Sequence, residues 1–314
     1  MRFLFLRPMH AGRPGTQIDT ARRYASWLPG GAGKSEMTIG KWLEKAGREC
    51  REQIFLGTKG CLMPRGYNST RGDLSPERIR NELEESLEAL RTDYIDLYWL
   101  HRDEEGRDAG EILETMNCLV REGKIRYFGV SNWKASRILE ADAWAKARGL
   151  QPISASQIQF GFGVCTPDRW GDQSVVCMDS GEYAVYRRLQ MPVYAYSAQS
   201  EGYFARILSG EKEKLSEGTL AKYDSSVNQI RARRLKELRE LRRNEGRPCP
   251  PPEFVSLEYC LRAPFPVVFI HGGSNMDRLI SVTERERNPE NRISIEDWAY
   301  PLQDGDFGED DFRA

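Results

Sequence analysis

Short apolar runs alternate with helical patterns along this chain, and several of the runs end in a polar residue. Residues 53–58 and 94–100 are rich in Ile, Phe, Leu, Tyr and Trp, a composition typical of buried strands. A helical pattern separates them, and Lys59 and His101 stand directly after them. In a parallel α/β barrel the carboxyl ends of the strands meet at one face, where catalytic residues collect. The pattern therefore predicts a parallel α/β fold with polar side chains gathered at one end.

The alternation continues to about residue 287. We predict further strands at residues 125–130, 153–158, 192–196 and 267–270, and helices at residues 111–122, 135–147, 182–189, 226–244 and 250–262. No second composition regime appears, which favours one domain. The predicted fold is a (β/α)8 TIM-type barrel over residues 18–287, preceded by an atypical segment, 1–17, and followed by a polar tail, 288–314. Trp99 and Trp42 are expected in its core.

The N-terminal segment breaks this pattern. Residues 3–6 are the only apolar run that could supply the first strand of the barrel, and residues 7–16 after them contain two prolines and two glycines. A parallel crossover that includes a helix needs about a dozen residues or more. We therefore expect the first strand and helix of the barrel to be absent or replaced.

Composition narrows the class of function. The net charge is −1, from 46 basic and 47 acidic residues, which argues against a broad nucleic-acid-binding face or binding to a membrane surface. The seven cysteines have no paired spacing, and with three histidines they predict no metal site and a reducing, cytoplasmic environment. The expected partner is a small molecule, and the oligomeric state is left open.

Four residue types that together can make a tuned proton donor occur in the first third of the chain. They are Asp19, Tyr24, Lys59 and His101. Each has an ordinary structural explanation when taken alone: a helix N-cap, an aromatic at the core edge, a surface lysine and a core histidine. Their joint occurrence with polar residues at later strand ends favours a catalytic set.

These motifs resemble the aldo-keto reductase family. Asp19-Thr20-Ala21 followed by Tyr24, then Thr58-Lys59 and Leu100-His101, are similar to the Asp/Tyr/Lys/His tetrad of that family. The stretches LPGGAGKSEMTIGKWL and YSAQSEGYF resemble an uncharacterised branch of reductases. The resemblance covers about residues 18–284 and implies a nicotinamide cofactor. Matches to the nicotinamide and phosphate contacts of the family follow in order, at Ser131, Asn132, Gln157, Tyr196, Ser197, Gly272, Gly273, Ser274 and Asn275.

The chemistry of the four side chains agrees with that resemblance. A phenol has a pKa of about 10 and is a weak acid at neutral pH. We expect the ammonium of Lys59 to lower the pKa of Tyr24, and Asp19 to hold Lys59 in place and charged. His101 would polarise a carbonyl oxygen, and Tyr24 would protonate the alkoxide that forms. The hydride has to come from NAD(P)H, because no side chain supplies one.

The cofactor is predicted from the C-terminal third of the chain. No GxGxxG motif follows a strand, which disfavours a Rossmann domain. Residues 272–275 are instead predicted to form a turn before a helix, whose backbone N–H groups would face a phosphate. Arg278, one turn into that helix, could pair with an adenosine 2′-phosphate. This arginine favours NADP(H) over NAD(H).

The sequence therefore predicts an enzyme that reduces an aldehyde or ketone with NADPH. Two alternatives stay open: a non-catalytic, cofactor-sensing regulatory subunit on the same scaffold, and an incomplete gene product that folds poorly. The loops that would form the substrate pocket have no recognisable motif, so the substrate is not predicted.

Overall fold

The computed structural model describes residues 3–6, 17–26, 28–63, 71–249 and 251–273. The chain divides into two compact units, residues 1–157 and 158–314. The tail predicted at 288–314 lies outside the described residues, and the boundaries of a single domain at 18 and 287 stay a prediction.

The first unit contains strands alternating with helices. Its strands are β1 (Phe3–Leu6), β2 (Gln17–Asp19), β3 (Phe55–Gly60), β4 (Ile95–Leu100), β5 (Ile125–Ser131) and β6 (Ser156–Gln159), the last of which runs into the second unit. Its helices are α1 (Lys34–Ala46), α2 (Arg48–Glu52), α3 (Pro76–Leu90), α4 (Ala109–Arg121) and α5 (Ala135–Ala147). The strands and helices predicted in this part of the chain are present, with ends that shift by up to three residues.

Strands β2 to β6 lie parallel and in chain order, each paired with the next. All six residues of β4 are buried, as expected of a central parallel strand that is covered on both faces. Helix α3 begins with Pro76 in its first turn and buries Ile79, Leu83, Leu87 and Leu90, which recur at helical spacing. This arrangement places the carboxyl ends of β2 to β5 at one edge of the sheet.

The N-terminal strand departs from a regular parallel barrel, as expected. Strand β1 pairs with β2 in an antiparallel register, Leu4 opposite Asp19 and Leu6 opposite Gln17. This pairing confirms the prediction of an atypical N-terminal segment in place of a regular first strand. An antiparallel neighbour needs no crossover helix, so the ten residues between β1 and β2 are enough to join them.

The second unit contains two strands that pair in parallel, β7 (Val193–Tyr196) and β8 (Val267–Phe269). Its helices are α6 (Pro167–Trp170), α7 (Ser180–Leu189), α8 (Tyr203–Leu208), α9 (Glu217–Tyr223), α10 (Ser226–Asn244) and α11 (Pro252–Leu261). Helix α10 has the predicted bounds and buries Ala232, Leu235 and Leu238, which confirms its predicted apolar stripe.

Two predictions from the sequence are wrong. Residues His271–Gly273 form a strand, β9, where a turn was predicted. Trp42 is 41% exposed, because the buried stripe of α1 passes through Ile39 and Leu43 beside it, whereas Trp99 is fully buried as predicted. Among the described residues, no helix is both long enough and apolar enough to span a membrane.

Candidate active site

The site is built around a buried lysine at the end of β3. In the pairing of β2 with β3, Asp19 lies opposite Gly57, and Lys59 follows two residues later on the same face of β3. Lys59 and Asp19 are buried and form an ion pair. Lys59 Nζ also donates to the carbonyl oxygen of Thr20 at 3.0 Å and to Tyr24 Oη at 2.9 Å. An ammonium has three N–H donors, and here each has a partner, so the buried cation is fully satisfied.

Tyr24 reaches Lys59 from the turn that follows β2. The N–H of Thr20 donates to Gly57 at 2.9 Å, and the N–H of Arg22 donates to the carbonyl of Lys59 at 2.9 Å, so this turn runs along the end of β3. Ala25, directly after Tyr24, has a left-handed backbone with φ of 70°. Non-glycine residues in that region are strained and are held by their surroundings, often at functional sites. The fold thus fixes the phenol beside the ammonium.

His101 comes to the same place from the end of β4. Its N–H donates to the carbonyl of Gly60 at 3.0 Å, which ties it to β3. Its ring is buried, and its centroid lies 6.0 Å from that of Tyr24, at an interplanar angle of 79°. The structure therefore brings Asp19, Tyr24, Lys59 and His101 together, as the sequence led us to expect.

Trp99 and Gly57 also lie close to Asp19, although the sequence analysis assigned neither of them to the site. Gln157 donates to Asp19 Oδ1 at 3.3 Å, and the indole of Trp99 interacts with the same carboxylate in the direction that lowers its pKa. A Cβ added at Gly57 would lie 3.2 Å from Trp99 Nε1 and 3.4 Å from Asp19 Oδ1. A glycine inside a strand is a signal of such close approach, and it could have been read from the sequence.

The ion pair keeps Lys59 charged despite its burial. Burial alone lowers the pKa of a lysine, but the neighbouring carboxylate of Asp19 and the phenol of Tyr24 leave the pKa of Lys59 above its ordinary value. Burial raises the pKa of Asp19, and the charge and hydrogen bond of Lys59 oppose that rise. A positive charge is therefore held 2.9 Å from the phenol oxygen of Tyr24.

The pKa of Tyr24 differs from the expectation. Burial of the phenol raises its pKa above 10, and the opposing effect of Lys59 is smaller than that of burial. We had expected the ammonium to lower the pKa overall. Tyr24 is consequently protonated at neutral pH, the state that a proton donor requires.

His101 is neutral at physiological pH. Burial lowers its pKa well below 6.5, and the positive charges of Arg102 and Lys59 act in the same direction. A neutral imidazole carries one N–H, which can donate to a carbonyl oxygen without the charge of an imidazolium. The buried Nδ1 of His101 has no hydrogen-bond partner among the described residues.

Polar groups predicted to contact a cofactor gather where the end of β5 pairs with the start of β6. Ser131 lies opposite Gln157 in the strand pairing, and the N–H of Asn132 donates to the carbonyl of Gln157 at 3.1 Å. Asn132 Nδ2 donates to Ser131 Oγ at 3.0 Å, and Asn132 has a left-handed backbone with φ of 58°. All three side chains are buried. This group offers hydroxyl and amide oxygens and N–H donors, which are the partners that a carboxamide such as that of nicotinamide can use.

The remaining cofactor predictions fall in the second unit or outside the described residues. Tyr196 ends β7 and packs edge-on against Trp170 with centroids 5.7 Å apart, and Ser197 follows with φ of 48°. Gly272 and Gly273 belong to β9. The predicted contacts outside the described residues are Ser274, Asn275 and Arg278. Across the described ranges, no group of three or more His, Cys, Asp or Glu could hold a metal ion.

Two curated aldo-keto reductases are similar to part of this chain. Aldo-keto reductase str7 of Strobilurus tenacellus is 33% identical over 201 residues, which are 64% of this chain and 51% of the relative. Aldo-keto reductase yakc [NADP(+)] of Schizosaccharomyces pombe is 37% identical over 136 residues, 41% of this chain and 36% of the relative. The chain spans between about a third and a half of the length of the curated relatives it matches.

The fold matches a solved structure over most of the chain. The crystal structure of a candidate 2,5-diketo-D-gluconic acid reductase B aligns with 92% of this chain and 77% of that chain, at a TM-score of 0.59 and 19% sequence identity. This likeness confirms the predicted fold class, an α/β fold of the (β/α)8 type. A model of the aldo/keto reductase family matches residues 11–299. The chain therefore belongs to the aldo/keto reductase family.

Proposed function

We propose that this protein reduces an aldehyde or ketone to an alcohol, with Tyr24 as the proton donor and NADPH as the reductant. The observation that carries the proposal is the buried contact of Lys59 with both Asp19 and Tyr24. A surface lysine or a core-edge tyrosine would have no reason to share such a network, because burying a charge costs free energy. Membership of the aldo/keto reductase family supports the same reaction class.

Each of the four side chains has a separate role in proton transfer. A substrate carbonyl oxygen placed between Tyr24 and His101 would accept hydrogen bonds from the phenol O–H and from the imidazole N–H. As the carbon is reduced, the oxygen gains negative charge, and Tyr24 transfers its proton to it. Lys59 stabilises the phenolate that results, and Asp19 keeps Lys59 charged and oriented. A proton from solvent then restores the phenol, so that one carbonyl, one hydride and one proton give one alcohol.

The proposal about the cofactor rests on buried polar side chains where β5 pairs with β6. Ser131, Asn132 and Gln157 are the residues that we propose hold the nicotinamide carboxamide, and NADPH when bound would supply the hydride. The name of the fission-yeast relative includes NADP(+), which supports NADP(H) over NAD(H). We also propose that Tyr196, Ser197 and residues 272–275 contribute to the rest of the cofactor site.

The test is reduction of an aromatic aldehyde such as 4-nitrobenzaldehyde by the purified chain, followed by the loss of NADPH absorbance. We expect turnover in the wild type and a fall in kcat of about 10²- to 10⁴-fold in Tyr24→Phe, the usual contribution of a positioned general acid. The binding of NADPH, measured by its fluorescence, should change little. Tyr127→Phe is the matched control, because Tyr127 is an exposed tyrosine on β5.

The outcomes separate the alternatives. Binding of NADPH without turnover of any aldehyde or ketone in a broad panel would identify the non-catalytic, cofactor-sensing subunit. Near wild-type kcat in Tyr24→Phe would exclude Tyr24 as the proton donor. A chain that melts cooperatively but neither binds NADPH nor reduces a carbonyl would contradict the proposal.

A further inference from the structure

Arg22 and Glu36 link the segment that carries Tyr24, the proposed proton donor, to the strand that carries Lys59. Arg22 stands two residues before Tyr24, and Thr58 stands directly before Lys59. Glu36, in the first turn of α1, contacts both of these neighbours. Its Oε1 accepts from Thr58 Oγ1 at 2.6 Å, and its Oε2 lies 3.4 Å from Arg22 Nη1. The carboxylate of Glu36 thus bridges the turn that carries Tyr24 and the strand that carries Lys59.

This bridge is buried on the glutamate side. Glu36 and Thr58 are each 0% exposed, whereas Arg22 is partly exposed. Burying a carboxylate costs free energy unless it is paired and hydrogen-bonded. A glutamate in the first turn of a helix interacts favourably with the helix dipole even when its side chain is exposed to water. Exposed acidic side chains commonly occupy such first-turn positions, so the burial of Glu36 calls for a reason in its contacts.

The first turn of α1 also fixes the start of the same loop. Ser35 Oγ lies 2.8 Å from Thr20 Oγ1, one residue after Asp19. A Cβ added at Gly33, the residue before α1, would lie 3.3 Å from Arg22 Nη1, so the helix terminus and the guanidinium pack closely. Helix α1 therefore holds the segment from Asp19 to Tyr24 at two points and holds β3 at Thr58.

We propose that Glu36 and Arg22 are positioning residues that set the separation of Lys59 Nζ and Tyr24 Oη. This inference rests on the proposed function, because it assigns the pair a role in proton transfer by Tyr24. Neither residue touches the substrate or the cofactor in this scheme. Their effect is to keep the phenol within hydrogen-bond distance of the ammonium, 2.9 Å in this structure.

The first test is Glu36→Gln, with Glu88→Gln as its matched control. Glutamine keeps the size of the side chain and an oxygen for Thr58, but it removes the charge that pairs with Arg22. Glu88 is an exposed glutamate on α3, whereas Glu85 on the same helix accepts two hydrogen bonds from Arg22, at 3.0 and 2.6 Å, and is therefore no neutral control. We expect kcat for aldehyde reduction to fall by about 10-fold or more in Glu36→Gln, since misplacement by about 1 Å can cost 10²-fold. The KM for NADPH should stay within about twofold, and Glu88→Gln should leave both constants within about twofold.

A second readout distinguishes positioning from a loss of folded protein. In alcohol oxidation by NADP⁺, Tyr24 has to be a phenolate, so the rate rises with pH as the phenol ionises. Moving Lys59 away from Tyr24 raises the pKa of the phenol, which shifts this rise to higher pH in Glu36→Gln. Partial unfolding would lower the rate at every pH without moving the profile. Arg22→Met should shift the profile in the same way, and Arg22→Lys should restore part of the wild-type behaviour because it keeps a charge for Glu36.

Crystal structures of the wild type and Glu36→Gln complete the test. A longer distance between Nζ and Oη in the variant supports the proposal. An unchanged distance together with an unmoved pH profile overturns it, and so does an equal loss of kcat in Glu88→Gln. If Glu36→Gln does not fold, the two Arg22 variants carry the same comparison. If the wild type reduces no carbonyl, the proposed function fails, while the distance in the crystal structures still tests the positioning.

Discussion

Lys59 Nζ donates a hydrogen bond of 2.9 Å to Tyr24 Oη while it is ion-paired with Asp19. Since the ammonium occupies one lone pair of the phenol oxygen, the O–H of Tyr24 is directed elsewhere and can serve as a donor to a substrate. The same contact would stabilise the phenolate that is left after proton transfer. The geometry therefore suits the proposed role of Tyr24, which needs a protonated phenol at rest and a cation beside the phenolate that proton transfer would leave.

The first prediction concerns the ion pair. Lys59→Met should abolish most of the reductase activity, and it should lower the free energy of unfolding by about 3–5 kcal/mol because it leaves the carboxylate of Asp19 buried without a counter-charge. The double variant Asp19→Asn/Lys59→Met removes both charges and should be more stable than Lys59→Met alone. Urea denaturation of the wild type, Lys59→Met, Asp19→Asn and the double variant measures these free energies of unfolding. If the loss in the double variant equals the sum of the losses in the two single variants, the two side chains do not interact and the prediction is wrong.

The second prediction concerns the space between β3 and β4. Gly57→Ala adds a Cβ that lies 3.2 Å from Trp99 Nε1, so the indole has to shift by a few tenths of an ångström, whereas the 3.4 Å to Asp19 Oδ1 is ordinary contact. Overpacking costs about 1–3 kcal/mol, and we expect kcat to fall as the indole moves relative to Asp19. Gly106→Ala is the control, because nothing lies within 4 Å of a Cβ added there. Equal melting temperatures and equal kcat for the two variants would show that this contact is unimportant.

The sequence predicted the residues of the site better than their surroundings. Lys59 lies near the end of β3 and His101 directly after β4, and the composition of both strands is plain, so their place at the sheet edge could be inferred from strand direction alone. The role of Trp99 could not, because a buried tryptophan on β4 has the same pattern whether it only fills space or also interacts with Asp19. Glu36 was missed for a related reason, since a glutamate in the first turn of a helix is ordinarily explained by the helix dipole.

The features of the fold that were not predicted have physical causes as well. An atypical N-terminus was expected, but the antiparallel direction of β1 was not, because an apolar run of four residues does not encode strand direction. Strand β9 consists of His271-Gly272-Gly273, a composition more typical of a turn, and strand propensity depends strongly on the surroundings of a segment. The net rise in the pKa of Tyr24 depends on how deeply the phenol is buried. That depth is set by the packing of the loop after β2, which the sequence alone does not give.

The third prediction is a flat pH dependence near neutrality. The pKa of His101 lies well below 6.5 and that of Tyr24 lies above 10, so neither group changes its charge between about pH 6.5 and 8.5. The kcat for aldehyde reduction should therefore be constant in that window, and it should fall only at alkaline pH as Tyr24 loses its proton. Initial rates in buffers of equal ionic strength test this. An ionisation near pH 6.5 that is present in the wild type and lost in His101→Gln would contradict the assignment.

The last prediction addresses the choice of cofactor and depends on Arg278, which lies outside the described residues. The resemblance to the family places this arginine where it could pair with the 2′-phosphate that distinguishes NADPH from NADH. A charge-assisted hydrogen bond contributes about 1.5–3 kcal/mol, so Arg278→Ala should weaken NADPH binding by roughly 10- to 100-fold and NADH binding much less. Fluorescence titration of each cofactor gives the two dissociation constants, with Arg48→Ala as the control because Arg48 is highly exposed on α2. If Arg278→Ala weakens both cofactors equally, another group recognises the 2′-phosphate, since only a contact to that phosphate can make the loss depend on which cofactor is bound.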